Sequence, residues 1–236
     1  MTNPKNFLYI SDLDGTLLKP EGHFPKKAAD RLNRLIDKGL KFSIATARNH
    51  AAAYPPLQNL NLKLPVILFN GFYLTEFHSG RNILLSKSIP RHVVEDLLNL
   101  AGSMNIDPFI FNSDNLVYHR DISNPGSRNY VNEQGNNGRL LYGSEYNFLK
   151  PEEISGSLFI DTQKALAPLY QTLKGKYPAD LKLYFAEDIT MRGYYWLQVF
   201  HRHVDKGRMV EQLADFLQIS LAELSLIHIS EPTRRY

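Results

Sequence analysis

The sequence has no cysteine. That excludes disulfide bridges, thiolate metal sites and a cysteine nucleophile. No apolar run reaches the roughly 18 residues that mark a membrane span, so no membrane insertion is expected. The opening Met-Thr-Asn-Pro-Lys-Asn lacks the apolar core of a signal peptide, and a cytoplasmic protein is the expectation. Long basic runs are missing as well. With a formal net charge of only +3, neither nucleic acid nor a membrane surface is implied as a partner. Neither a Gly-x-Gly-x-x-Gly nor a Gly-x-x-x-x-Gly-Lys-[Ser/Thr] loop occurs, which leaves nucleotide binding of those kinds without support. Internal repeats and low-complexity tracts are absent too.

The chain has 236 residues, enough for one large domain or for a core with a second lobe. A hydrophobic share of 43% and a charged share of 22% are those of an ordinary soluble globular protein. The stretch Phe7–Leu18 organises the rest. Phe7, Leu8, Tyr9 and Ile10 form an apolar, strand-favouring run that meets Asp12, Asp14, Gly15 and Thr16. Side chains two apart on an extended backbone point the same way, so both carboxylates can face one spot. Gly15 permits a sharp turn away. In open α/β sheets, ligands bind outside the carboxyl ends of the strands. Two acids this close call for a hard cation between them or a shared acid/base task. A bare Asp-x-Asp can equally be a solvated turn.

Further along, Ala28, Leu32, Leu35 and Ile36 recur at helical spacing after Pro25, and Gly39 stands where a C-cap would. Leu40–Ala45 reads as a second strand, followed by a helical stretch broken at Pro55-Pro56. Pro65–Phe69 reads as a third buried strand ending at Asn70-Gly71. This strand–helix rhythm predicts a parallel sheet. The rhythm then changes. Strands are expected at Phe72–Phe77 and Ile83–Ser88 around a turn at His78-Ser79-Gly80, then a helix over Pro90–Met104. A hairpin is expected about Ser113-Asp114-Asn115, and a long mobile polar loop over Ser123–Ser144. Ser157–Asp161, Leu181–Ala186 and Tyr194–Phe200 read as strands, with a helix over Lys164–Lys176. The block of about Gly80–Tyr195 is a candidate second α+β domain inserted into the first. Asp205-Lys206-Gly207 then opens a helix bearing Met209, Val210, Leu213, Phe216 and Leu217.

Asp12-Leu13-Asp14-Gly15-Thr16 resembles the Asp-x-Asp-Gly-Thr signature of the haloacid dehalogenase superfamily of phosphohydrolases, and the resemblance runs through Leu217. It is similar to the Cof-type, sugar-phosphatase-like members, which carry a large cap inserted after the third core strand. The resemblance implies an α/β fold, with a Rossmann-like parallel-sheet core and an inserted α+β cap. The expected division is core at 1–79, cap at 80–195 and core again at 196–223. It implies a magnesium-dependent phosphatase acting on a small phosphorylated metabolite, such as a sugar phosphate. By resemblance, Asp12 is the nucleophile that becomes an aspartyl-phosphate, and Asp14 is the general acid/base. Magnesium is implied at the Asp12 carboxylate and the Asp14 backbone carbonyl. Thr46-Ala47-Arg48 stands where this group usually has Thr-Gly-Arg, with the Thr46 hydroxyl aimed at a phosphoryl oxygen. The other role open to Thr46 is helix N-capping. Lys206-Gly207 matches the third motif. A lysine at a helix N-terminus opposes the dipole, and a nearby dianion would explain it; a surface lysine is the plain alternative. Asn70-Gly71 resembles the Asn-Gly near the substrate phosphate, though alone it is a turn signal. Arg48 is either a substrate clamp or one half of a structural pair. His201 and His203 lack a third ligand and are expected to face solvent.

The family's fourth motif, a Gly-Asp-x-x-x-Asp or Gly-Asp-x-x-Asn-Asp run that supplies further metal ligands, does not follow Lys206. Leu224–Arg234 looks like a translated sequencing adapter, so 224–236 is expected to be non-native and the reading frame cut near Glu223. The alternative is a genuine fourth strand over Leu224–Ile229. Two rival functions remain at this point. One is a catalytically silent relative that binds phosphorylated ligands and regulates; the other is a glycosyltransferase that uses Asp-x-Asp to hold manganese and a sugar nucleotide.

Overall fold

The computed structural model describes residues 7–19, 21–120, 122, 124–134, 140–142, 153–188 and 191–228. The chain divides into two compact units, one taken from the span up to Ser86 and from Val204 onward, the other from Lys87–His203. These boundaries differ from the expected 79/80 and 195/196. In the first unit, the strand after the turn at His78–Gly80 pairs back onto its predecessor. In the second, the last strand is bonded to two others along its whole length.

The first unit opens with β1 (Leu8–Ser11), α1 (Lys26–Asp37), β2 (Lys41–Ile44), α2 (His50–Leu57), β3 (Val66–Leu68) and the hairpin β4 (Tyr73–Thr75) and β5 (Asn82–Leu85). In chain order the second unit follows with α3 (Arg91–Ser103), β6 (Phe109–Asn112), β7 (Val117–His119), α4 (Pro125–Gln134) and β8 (Leu140–Tyr142). It continues with β9 (Ile154–Thr162), α5 (Gln163–Lys176), β10 (Leu181–Glu187) and β11 (Tyr194–His201). The chain then returns to the first unit with α6 (Lys206–Phe216) and β12 (Leu224–Ile227).

In the first unit, β1 lies between β12 and β2, parallel to both, with Leu8 opposite Leu224 on one side and Lys41 on the other. A parallel bridge between Ala45 and Ile67 brings β3 alongside β2. Parallel strands buried on both faces are apolar throughout, which is why Leu8, Ile10, Ile44, Val66, Ile67 and Leu68 are fully buried. Met209, Val210 and Leu213 of α6 pack onto this sheet. The second unit holds a six-stranded sheet of order β10-β11-β9-β6-β7-β8, antiparallel except for β7 with β8. Val93, Val94 and Leu97 of α3 and Leu166, Leu169 and Leu173 of α5 share one core with Ile110, Phe159, Leu197 and Val199 of that sheet. No helix among the described residues is long and apolar enough to cross a membrane.

Three local expectations are corrected. Helix α2 is not broken by Pro55-Pro56 but contains both. Prolines remove amide donors without blocking a last turn whose freed carbonyls find other partners. Leu35 of α1 and Phe216 of α6 are about half exposed, because α1 buries Ala29 and Ile36, and α6 buries Met209, Val210 and Leu213. The polar stretch Ser123–Ser144 contains α4 and β8, although Ser123, 135–139 and 143–144 lie outside the described residues. Its order has two sources. The Asn124 side chain accepts the Ser127 amide at 2.8 Å and donates to the Ile160 carbonyl, and the Tyr130 ring packs on Phe109 and Trp196. Leu224–Ile227 forms a strand bonded to β1, as either reading of the tail allows, while 229–236 lies outside the described residues.

Candidate active site

The carboxyl ends of β1, β2 and β3 and the amino end of α6 all belong to the first unit. Main-chain bonds fix the strand ends to one another and to β12. The Asp12 amide donates to the Ile227 carbonyl at 3.0 Å, Ala45 to Ser11 at 2.9 Å, and Thr46 to Ile67 at 2.9 Å. Asp12 and Thr46 thus each stand one step past the ordered part of a parallel strand. At Gly15, φ is 63°, the left-handed region that glycine enters without penalty, and the chain turns back so that the Leu18 amide reaches the Leu13 carbonyl.

Asp12 is only 6% exposed. Its Oδ1 accepts from the Leu13 amide at 2.7 Å and from Lys206 Nζ at 3.2 Å. Lys206 is no surface lysine: it is buried, and it is the first residue of α6. The positive end of the helix dipole disfavours a cation there, and the Asp12 carboxylate offsets it. The Asp205 side chain caps the helix by accepting the Arg208 amide at 3.1 Å.

Asp14 meets a different partner. Arg48 grips its carboxylate with two bonds, Nε to Oδ2 at 3.0 Å and Nη2 to Oδ1 at 2.7 Å, in a part-buried position. In this structure Arg48 is thus paired with Asp14. Its Nη1 donates to the Ala52 carbonyl at 3.1 Å. In a regular helix that carbonyl would accept the amide of residue 56. Pro56 has none, so the proline pair frees the acceptor that Arg48 uses. The proline pair reads as a break in the sequence; the signal for this role is the distance of four residues from Ala52 to Pro56.

Thr46 is fully buried, and its hydroxyl oxygen accepts the Arg48 amide at 3.1 Å, leaving the hydroxyl proton to donate elsewhere. It does not cap α2; Asn49 does, accepting the Ala52 amide at 3.0 Å. At the end of β3, Phe69, Asn70 and Gly71 are all left-handed, with φ of 51°, 56° and 92°. The Phe69 amide donates to the Arg48 carbonyl at 2.8 Å and the Asn70 amide to the Thr46 carbonyl at 3.1 Å. The structure therefore brings Asp12 with Lys206, Asp14 with Arg48, and Asn70 with the Thr46 segment. His201 and His203 belong to the second unit, where the His203 amide donates to His201 Nδ1 at 3.0 Å.

The oxygen donors at the end of β1 suit a hard dication such as magnesium. Asp12 and Asp14 are the residues that would hold it. Among the described residues no group of three or more histidine or acidic side chains forms a metal-binding cluster.

The profile of the haloacid dehalogenase-like hydrolases matches residues 9–227. The chain belongs to this family. Among relatives, it is 32% identical over 107 residues to pyridoxal phosphate phosphatase YbhA of Escherichia coli, a match covering 45% of this chain and 39% of that protein. It is 29% identical over 102 residues to 5-amino-6-(5-phospho-D-ribitylamino)uracil phosphatase YitU of Bacillus subtilis, covering 43% of this chain and 38% of that protein. The chain thus spans less than half the length of these curated relatives. Among solved structures, a haloacid dehalogenase-like hydrolase from Bacteroides thetaiotaomicron superposes with a TM-score of 0.78 at 15% identity, covering 93% of this chain and 80% of that one. TM0651 from Thermotoga maritima gives 0.73 at 20% identity, covering 93% and 78%. At such identities the likeness is one of fold, and it extends over both units.

Proposed function

We propose that the chain is a phosphatase of small phosphorylated metabolites that works through a phosphorylated aspartate. The observation that carries this reading is the buried Asp12–Lys206 pair at the end of β1, at 3.2 Å. A buried ion pair contributes little net stability. At a strand end in an α/β fold it is better explained by chemistry.

An Asp12 carboxylate oxygen attacks phosphorus, and the bond from phosphorus to the leaving oxygen breaks. Lys206 neutralises charge on the phosphoryl oxygens, and the Thr46 hydroxyl donates to one of them. Asp14, protonated before the first step, gives that proton to the leaving alkoxide; its carboxylate then takes one from the water that attacks phosphorus as the bond from phosphorus to Asp12 breaks and inorganic phosphate leaves. Arg48 holds the Asp14 carboxylate for the second transfer; for the first, one Asp14 oxygen has to part from Arg48 to carry the proton. Magnesium, held by Asp12 and Asp14, supplies charge neutralisation and alignment of the phosphoryl group when bound. Pyridoxal phosphate and ribityl-pyrimidine phosphates, the substrates in the relatives' names, are first choices for a screen.

A second reading, a silent relative that binds phosphorylated ligands, is favoured by one observation: both Asp14 oxygens are engaged by Arg48. Turnover of p-nitrophenyl phosphate with and without magnesium, alongside calorimetric binding of the same metabolite panel, separates the two. Magnesium-dependent turnover that Asp12→Asn abolishes supports the phosphatase. Binding without turnover overturns it in favour of the silent relative.

A further inference from the structure

Gly71 is crowded by backbone, where Gly22 and Gly39 of the same unit have nothing near. A Cβ built on it would collide with the Asp205 carbonyl oxygen, and would lie 2.6 Å from the Asp205 carbonyl carbon and 2.9 Å from the Lys206 nitrogen. No real side chain tolerates such contacts with backbone. The turn that brings Gly71 there is itself strained. Phe69 is an aromatic residue in the left-handed region, where a bulky side chain is an outlier. The strain persists because the Phe69 and Asn70 amides are bonded to the Arg48 and Thr46 carbonyls. One end of this turn is thus fixed to the segment that carries Thr46 and Arg48. The other end, at Gly71, meets the main chain that carries Lys206.

Resting on the phosphatase reading, we infer that Gly71 is a positioning residue: its bare backbone sets how near the start of α6 comes to β1, and so sets the reach of Lys206 Nζ to Asp12. It acts through Lys206 and touches no substrate. A methyl at position 71 pushes Asp205 and Lys206 outward, lengthens the 3.2 Å pair and opens Lys206 to solvent.

The test compares two alanine substitutions. Gly71→Ala adds both a strained φ and a clash. Gly39→Ala adds a strained φ alone, because Gly39 has a φ of 98° and nothing within 4 Å of the built Cβ. Trace acetic anhydride followed by peptide mass spectrometry reads the acylation of Lys206 in each folded protein. We expect acylation about tenfold faster in Gly71→Ala, the ratio that about 1.4 kcal/mol gives, and no change in Gly39→Ala. Turnover of p-nitrophenyl phosphate should fall by about 10²-fold in Gly71→Ala, as for a misplacement of about 1 Å. In a Lys206→Met background the same glycine change should cost nothing further, because residues acting through one another are non-additive. Lys206 as protected in Gly71→Ala as in the parent, or fully additive losses, would overturn the inference. If Gly71→Ala does not fold, Asn70→Gly loosens the same turn without adding an atom. Lys206 must then acylate faster than in the parent, or the inference fails. Should the parent show no turnover at all, the phosphatase reading fails by itself, and the acylation result still decides the role of Gly71.

Discussion

One ion pair in each unit shows charge handled in opposite ways. In the first, Asp12 and Lys206, 194 residues apart in sequence, are paired with side chains only 9% and 10% exposed. In the second, Lys176 reaches Asp96 at 2.6 Å with side chains 50% and 28% exposed, tying α5 to α3 at the surface. Lys176, and then the Tyr177 hydroxyl, hold the Asp96 carboxyl below its ordinary range. The surface tie costs little desolvation and contributes little. The buried pair carries a desolvation penalty that its attraction need not repay. Charge taken inward at the strand ends is what the phosphatase reading rests on, whereas the second unit packs an apolar core between its sheet and helices.

That contrast can be broken most severely at Asp12. Asp12→Asn keeps an amide oxygen to accept from Leu13 and Lys206, so the fold should survive, while the nucleophile is gone. Circular dichroism should be unchanged and p-nitrophenyl phosphate turnover lost; retained turnover in the folded variant would refute the mechanism. Next comes Asp14→Asn, with an expected loss of about 10²–10⁴-fold on alkyl phosphates. The loss should shrink for nitrophenyl phosphate, whose leaving group needs no proton. Equal losses on both substrates would count against the acid role.

The reverse experiment lies in the second unit. Leu197 is fully buried in its core, and Leu197→Ala should lower stability by about 2–5 kcal/mol, read from urea unfolding. A variant of Asp12 or Asp14 that destabilised as much would blur the distinction between the two regions.

The smallest effect concerns acid. Burial pushes the His201 imidazole below its ordinary value, and His203 and Lys87 add to this, with Asp180 opposing and Arg202 adding slightly. The folded value thus lies below the unfolded one of about 6.5. Stability from this group is complete above that value and is lost as pH falls through the lowered folded one. Asn at 201 places an oxygen where Nδ1 accepts the His203 amide. His201→Asn should therefore flatten the acid limb of the unfolding profile below about pH 6.5, and an unchanged limb would rule His201 out as its source.

Much of this site was legible in the chain. Asp12 and Asp14 announce themselves by an apolar run, an alternation of two and a glycine. Lys206 stands out because a lysine at a helix start needs a reason. The strand–helix rhythm of the first 70 or so residues suffices for a parallel sheet. Less legible were features made by contacts distant in sequence. Nothing local tells that Arg48 closes on Asp14, 34 residues away, rather than on a ligand. The polar stretch around Pro125–Gln134 hid one anchoring ring, Tyr130, whose partners Phe109 and Trp196 lie on other strands. Leu35 shows the converse: it fits a helical period, yet the buried face of α1 is centred on Ala29 and Ile36.

The two prolines in α2 set a trap for anyone who would make this protein sturdier. Replacing Pro56 with alanine restores a backbone amide and removes a poor helix former, a change that stability engineering would favour. The restored amide competes for the one carbonyl on which Arg48 leans. The helix would gain order while the guanidinium, and with it Asp14, lost a tether. Melting temperature and turnover should then move in opposite directions, so that an unfinished helix is the more useful one.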